Sequence, residues 1–172
     1  RQRQMCIRDS NYIMKKHITL IFILFITFSF AQKKEIRKAT KLFNAGDVQG
    51  AADLLLSSAS LFEASDPKTL NKKTYLEAQI DQKNKNFSAA FKKFTAFKAA
   101  DGINANYDTQ VQLLTSDIVN SAIEDNAEKR FSEAAVKLYL AYQVNPEVNK
   151  DYLYYAASSS VNALSLIHIS EP

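Results

Sequence analysis

Ala127-Glu-Lys-Arg-Phe-Ser-Glu-Ala134-Ala-Val-Lys-Leu138 is a polar turn that runs into an apolar stripe. Its apolar positions Phe131, Ala134 and Leu138 fall at i, i+3 and i+7, the spacing that puts three side chains on one face of the first two turns of a helix. Two earlier stretches repeat the pattern: Asn44-Ala-Gly-Asp-Val-Gln-Gly-Ala51-Ala-Asp-Leu-Leu55 and Asn84-Lys-Asn-Phe-Ser-Ala-Ala90-Phe-Lys-Lys-Phe94. Each has a bulky residue after the turn (Val48, Phe87, Phe131), an alanine three further on and a large residue four beyond that. Twelve residues before each of those alanines stands another, Ala39, Ala78 and Ala122, in a helix-forming stretch. Alanine on both sides of a short polar connection lets two backbones approach closely, so each segment predicts an antiparallel helical hairpin.

Composition points the same way. The chain has 172 residues, 47% hydrophobic and 23% charged, which suits a folded domain, and only 3 Gly and 3 Pro. A sandwich or barrel needs a turn roughly every 8 to 12 residues; so few breakers imply long elements, hence helices. The formal charge is +4, but residues 32–163 hold 17 Lys and Arg against 16 Asp and Glu, a net +1. The basic footprint of a nucleic-acid binder is missing from that body. One basic cluster remains, Lys33, Lys34, Arg37, Lys38 and Lys41. It suits either a solvated helix face or a surface for an anionic partner.

The ends are read apart from the fold. Residues 14–31 combine Lys15 and Lys16, an apolar run from Ile18 to Phe30 and the small-x-small sequence Ser29-Phe30-Ala31, the plan of a secretory signal peptide. That 13-residue run is shorter than the roughly 18 residues of a membrane-spanning helix. No membrane insertion is expected after cleavage, with an uncleaved anchor as the alternative. The Phe- and Ile-rich signal ending in Ala31-Gln32 resembles those of Bacteroidetes-type bacteria and implies a periplasmic location. Residues 1–13 and 164–172 resemble translated sequencing-adapter strings, so the chain is read as a fragment that natively continues past Ala163. Cys6, His17 and His168 all lie in these end segments. With them set aside, residues 32–163 contain no Cys, His or Trp, which removes disulfides and Cys or His metal sites.

The three segments resemble the tetratricopeptide repeat family. The third fits best, with Ala122, Phe131, Ala134, Leu138, Ala141 and Pro146 at the family's register. The first carries Ala39, Leu42, Gly46, Ala51 and Leu55 but lacks the closing proline, and the second has Phe97 in place of a small residue. A fourth unit opens at Asn149 with Tyr152, Tyr155 and Ala156. The matching alanines stand 39 and then 44 residues apart, against a family period of about 34. The extra length falls at residues 60–70 and 101–108, where Asp66-Pro67 reads as a helix cap with proline at the first helical position, Asp101-Gly102 as a stop and Asp108 as the next cap. The resemblance implies an all-α array of antiparallel helical hairpins, a solenoid truncated at its C-terminus; a helical domain of three or four hairpins outside the family is the alternative.

In that family the first helix of each pair lines a concave groove. Carried over by register, the groove positions are Lys33, Ile36, Thr40, Phe43 and Asn44 in the first unit, Lys72, Tyr75, Gln79, Gln82 and Lys83 in the second, and Ser116, Val119, Ile123 and Asn126 in the third. Two lysines, two amides and an aromatic in the second set suit an extended or acidic peptide. The family's Lys and Asn clamp for a terminal carboxylate is not reproduced.

Residues for chemistry are not found. Glu124 and Asp125 are adjacent, so they point to different sides of a helix and are read as solvated charge. Ser57, Ser58 and Ser158 to Ser160 have no histidine base and no Gly-x-Ser-x-Gly turn. Phe87, Phe91, Phe94 and Phe97 at helical spacing read as core. The expectation is a non-catalytic, cofactor-free scaffold that binds another protein or a peptide. The rival readings make the repeats the N-terminal part of an envelope protein with an OmpA-like anchoring domain, or of an enzyme whose catalytic domain lies downstream. Tyr152-Leu-Tyr-Tyr-Ala-Ala157 is apolar on more than one face, so the fragment is expected to self-associate.

Overall fold

A helix ends cleanly where one residue can turn left-handed and bring the next amides back to the last carbonyls. The computed structural model describes residues 31–63, 65–99 and 107–170, and it contains this ending three times. Asp47 N donates to Leu42 O and Gly46 N to Phe43 O, both at 3.0 Å. Asn86 N donates to Asp81 O at 2.8 Å and Lys85 N to Gln82 O at 3.0 Å. Arg130 N donates to Asp125 O at 2.8 Å and Lys129 N to Asn126 O at 3.1 Å. The residue at the bend has φ of +90° at Gly46 and +60° at Lys85 and Lys129. Relative to each bend the two alanines sit seven residues before and five after, and all six are fully buried.

Among the described residues every regular element is helical. They are α1 (31–44), α2 (Val48–Ser57), a short 3-10 turn (Ala59–Phe62), α3 (Pro67–Lys83), α4 (Phe87–Ala99), α5 (Tyr107–Ala127), α6 (Phe131–Val144) and α7 (Lys150–Ser170). The end segment before residue 31 and the Asp101-Gly102 stop lie outside the described residues. The chain divides into two compact units, residues through Lys73 and from Thr74 on.

In the first unit, α1 and α2 are joined by the Gly46 turn. Asp47 caps α2 by accepting the Gly50 amide at 2.8 Å. A Cβ on Gly50 would lie 2.2 Å from an Asp47 carboxylate oxygen, so glycine there admits the cap. Ile36, Ala39, Ala51, Leu55 and Phe62 are buried, and Gln32 Nε2 ties the start of α1 to Leu61 O at 2.7 Å. The Asp66-Pro67 cap forms as expected: Asp66 Oδ1 accepts the Thr69 amide at 3.0 Å and Oδ2 the Thr69 hydroxyl at 2.6 Å. These bonds hold the Asp66 carboxyl below its ordinary range, helped by the charge of Lys33.

The second unit is built on an aromatic and aliphatic core. Ala78 of α3, Phe87, Ala90, Phe94 and Phe97 of α4, Tyr107, Leu114 and Ile118 of α5 and Ala141 of α6 form one buried cluster. Tyr75 meets Phe94 edge-on at 5.7 Å and Phe97 at 4.9 Å, while Phe97 stacks on Tyr107 at 5.9 Å. Phe97, the oversized residue of the second repeat, fills space that a small side chain would leave open. Beyond this core, α6 packs along both α5 and α7. Ala122, Ala134, Leu138 and Ala156 are buried between them. Before Pro146, Asn145 takes an extended backbone (φ −151°, ψ 85°) and ends α6.

One expectation needs correcting. Asp108 does not cap α5: the helix begins at Tyr107 and Asp108 lies inside its first turn, where a carboxylate still meets the positive end of the helix dipole. Helix α7 runs to Ser170, as no Gly or Pro interrupts residues 150–170.

The bends supply a stability test. No atom lies within 4 Å of a Cβ added to Gly46, so Gly46→Ala carries a backbone cost alone, about 1 kcal/mol. Lys129→Gly relieves that strain and should raise stability by up to about 1 kcal/mol. Urea unfolding of both variants measures the difference; a destabilising Lys129→Gly would show that the left-handed lysine is unstrained.

Candidate functional site

Long amide side chains on adjoining helices pair with each other when neither can reach water. Gln79 Nε2 donates to Gln110 Oε1 at 3.3 Å, Gln110 Nε2 to Gln82 Oε1 at 2.9 Å, and Gln82 Nε2 to Asp117 Oδ2 at 2.7 Å. This ladder binds α3 to α5 and leaves Gln82 buried. Tyr75 is likewise engaged in the aromatic core, and burial raises the pKa of its hydroxyl. Of the groove positions expected in the second repeat, Gln82 and Tyr75 therefore hold the helices together. Gln79 is half-buried and Lys83 is open to solvent.

Lys83 lies on a shallow groove of about 230 Å³ with Lys85, Asp117, Asn120 and Glu124. Of the third set, Ile123 is exposed, Ser116 is exposed and Val119 packs on the core. Asn126 is half-buried and accepts from Ser159 Oγ at 3.2 Å. In the first unit, Phe43 is half-buried and Asn44 exposed at the end of α1, while the Thr40 hydroxyl donates to Ile36 O at 2.8 Å.

The first unit brings three expected residues together. Lys33, Ile36 and Lys72 line a cleft of about 290 Å³ between α1 and the start of α3, joined there by Arg37, Asp66, Lys68 and Thr69. Of these, Arg37 belongs to the basic cluster that suits a solvated helix face or a surface for an anionic partner, and Asp66 reads in the sequence only as a cap, while Lys68 and Thr69 are not singled out by it. Arg37 stands one helical turn after Lys33, and Lys68 one turn before Lys72, so the i, i+4 spacing was the signal available.

Asp125 overturns the reading of solvated charge. It is 2% exposed. Its Oδ1 accepts from Arg130 Nε at 3.0 Å, with Arg130 Nη2 also in contact, and its Oδ2 accepts from Lys137 Nζ at 2.5 Å. Arg130 also contacts Glu128. Burial pushes the Asp125 carboxyl up, but the bonds and charges of Lys137 and Arg130 outweigh it and the net shift is downward. The repeat before has the same pair at the same register: Lys93 Nζ lies 2.7 Å from Asp81 Oδ2. In the first repeat those two positions are Leu42 and Leu54.

Lys137 Nζ also donates to Ser121 Oγ at 2.8 Å. A serine beside a lysine can be a nucleophile with its base, but here Lys137 Nζ is also committed to Asp125 Oδ2 at 2.5 Å. Among the described residues no three His, Cys, Asp or Glu side chains are grouped to hold a metal ion. No described helix is long and apolar enough to cross a membrane. Compared with known protein families, with curated proteins and with solved structures, the chain finds no match.

Proposed function

We propose that residues 32–163 are a non-catalytic binding module of the tetratricopeptide type, an array of helical hairpins that holds a protein or peptide on the faces of its first helices. The carrying observation is the bend that recurs at Gly46, Lys85 and Lys129 with its buried alanine pair at constant offsets. Side-by-side attachment of α3 and α5 through the Gln79, Gln82, Gln110 and Asp117 ladder supports the reading. So do the two polar, solvent-open depressions, one on α1 and α3 and one on α3 and α5. Export to the periplasm is part of the proposal, supported by the signal-like order of Lys15, Lys16, the apolar run to Phe30 and Ala31.

Screening the full chain against an immobilised library of random decapeptides tests it. Binders with Kd near micromolar, about −8 kcal/mol, are expected. Amide hydrogen exchange should then slow in α1, α3 or α5 when the selected peptide is added. Protection confined to α4 and α6 would place binding on the opposite helices, and a library without binders would remove the function.

A further inference from the structure

We propose that the cleft between α1 and the start of α3 takes the carboxylates of an acidic peptide segment. The inference rests on the peptide-binding reading above and names the ligand class for this one cleft. Lys33 and Arg37 form a row of two cations on α1, and Lys68 and Lys72 a second row on α3. Ile36 and Thr69, both buried, lie among them. Like charges at i, i+4 repel by a few tenths of a kcal/mol, and here two such rows border one cleft.

Four cations share the cleft with one carboxylate, Asp66. That carboxylate is committed to the Thr69 amide and hydroxyl. Among the described residues none of the four cations has an ion-pair partner within 4.0 Å. The surplus is local, because the body as a whole is close to neutral, and a local surplus is what an anionic ligand would balance.

The chemistry of the cleft selects the kind of anion. Nucleic acid binds along an extended basic track with aromatic rings on which bases stack; the lining holds no aromatic ring. A single small anion is best held by buried donors, yet these four cations are exposed and the Thr69 amide is already taken by Asp66. Exposed cations in two rows, about 6 Å apart within each row, suit several carboxylates carried on one flexible chain. Arg37 can hold one carboxylate in a two-point contact; the three lysines accept less defined partners.

The test is fluorescence anisotropy with the full chain and a labelled decapeptide of alternating Glu and Ser, beside its Gln-for-Glu counterpart. The Glu peptide should bind at 50 mM NaCl, weaken markedly at 500 mM as screening shortens the reach of the charges, and bind far more tightly than the Gln peptide. The double variant Arg37→Glu with Lys72→Glu should lose about tenfold or more in affinity, with its circular dichroism unchanged. Lys92→Glu with Lys98→Glu, exposed on α4, should bind as the parent does. Equal binding by the Arg37 and Lys72 variant would overturn the proposal. So would tighter binding at this cleft of a single-stranded oligonucleotide, or of anionic phosphatidylglycerol vesicles, each competing the peptide away. If library peptides without acidic residues bind while the Glu peptide does not, this inference fails and the peptide-binding function stands; if no peptide binds, both fail.

Discussion

Replacing Asp125 by alanine is expected to cost about 1–3 kcal/mol, the effect of removing a buried carboxylate that accepts charge-assisted hydrogen bonds from two partly exposed cations. The carboxylate is nearly inaccessible and receives Arg130 and Lys137 together. Pairing Asp125→Ala with Lys137→Met should recover much of the loss, since the uncompensated charge goes with the lysine. Acid supplies a second readout. The native carboxyl is shifted below its ordinary value, so its stabilisation is fully present above the unfolded value of about 3.9 and is lost as pH falls through the lower native one. Urea midpoints at pH 7 and pH 3 should therefore converge between the parent and Asp125→Asn. A loss below about 1 kcal/mol for Asp125→Ala at pH 7 would mean that the pair is solvated after all.

Phe94→Ala should cost more, at about 3–5 kcal/mol for a large aromatic removed from a packed core. Phe94 is 1% exposed and meets Tyr75 at 5.7 Å and Tyr107 at 6.5 Å, both edge-on. The Tyr107 hydroxyl also leans on the Phe94 carbonyl at 3.4 Å, so the cavity would loosen α5 against α4. Leu56→Ala, at an exposed position of α2, should change stability by no more than about 0.5 kcal/mol. Chemical unfolding monitored by circular dichroism compares the two; similar small losses would show that the aromatic cluster is loosely packed.

The all-helical fold was legible because its signals are local and periodic. Turn, bulky residue, alanine and large residue recur in order, and the alanines read as contact points are the ones fully buried. Asp66-Pro67 was legible for the same reason, since a cap involves neighbours in sequence. Asp125 was not. Adjacent acidic residues point to different faces, but which one faces inward depends on where a third helix packs; only its place three residues after Ala122 put it on the buried stripe.

The groove positions were legible only in part. Register says which residues share a face, and α3 must serve two neighbours at once, α4 through Ala78 and Tyr75 and α5 through Gln79 and Gln82. Two contact faces leave a narrow free strip, so residues expected on an open surface became bonds between helices. The cleft in the first unit combines residues 35 positions apart, Lys33 with Lys68, and no local pattern joins them.

The left-handed lysines carry one more implication. Gly46, Lys85 and Lys129 hold the same bend with different side chains, and from the alanine seven before to the large residue nine after, no offset changes. The bends are nevertheless 39 and then 44 residues apart. All of the difference is therefore taken up between Phe94 and Ala122, outside the hairpin tip. The tip behaves as a cassette of fixed length, and the links between cassettes are the natural places to lengthen, splice or recombine this chain.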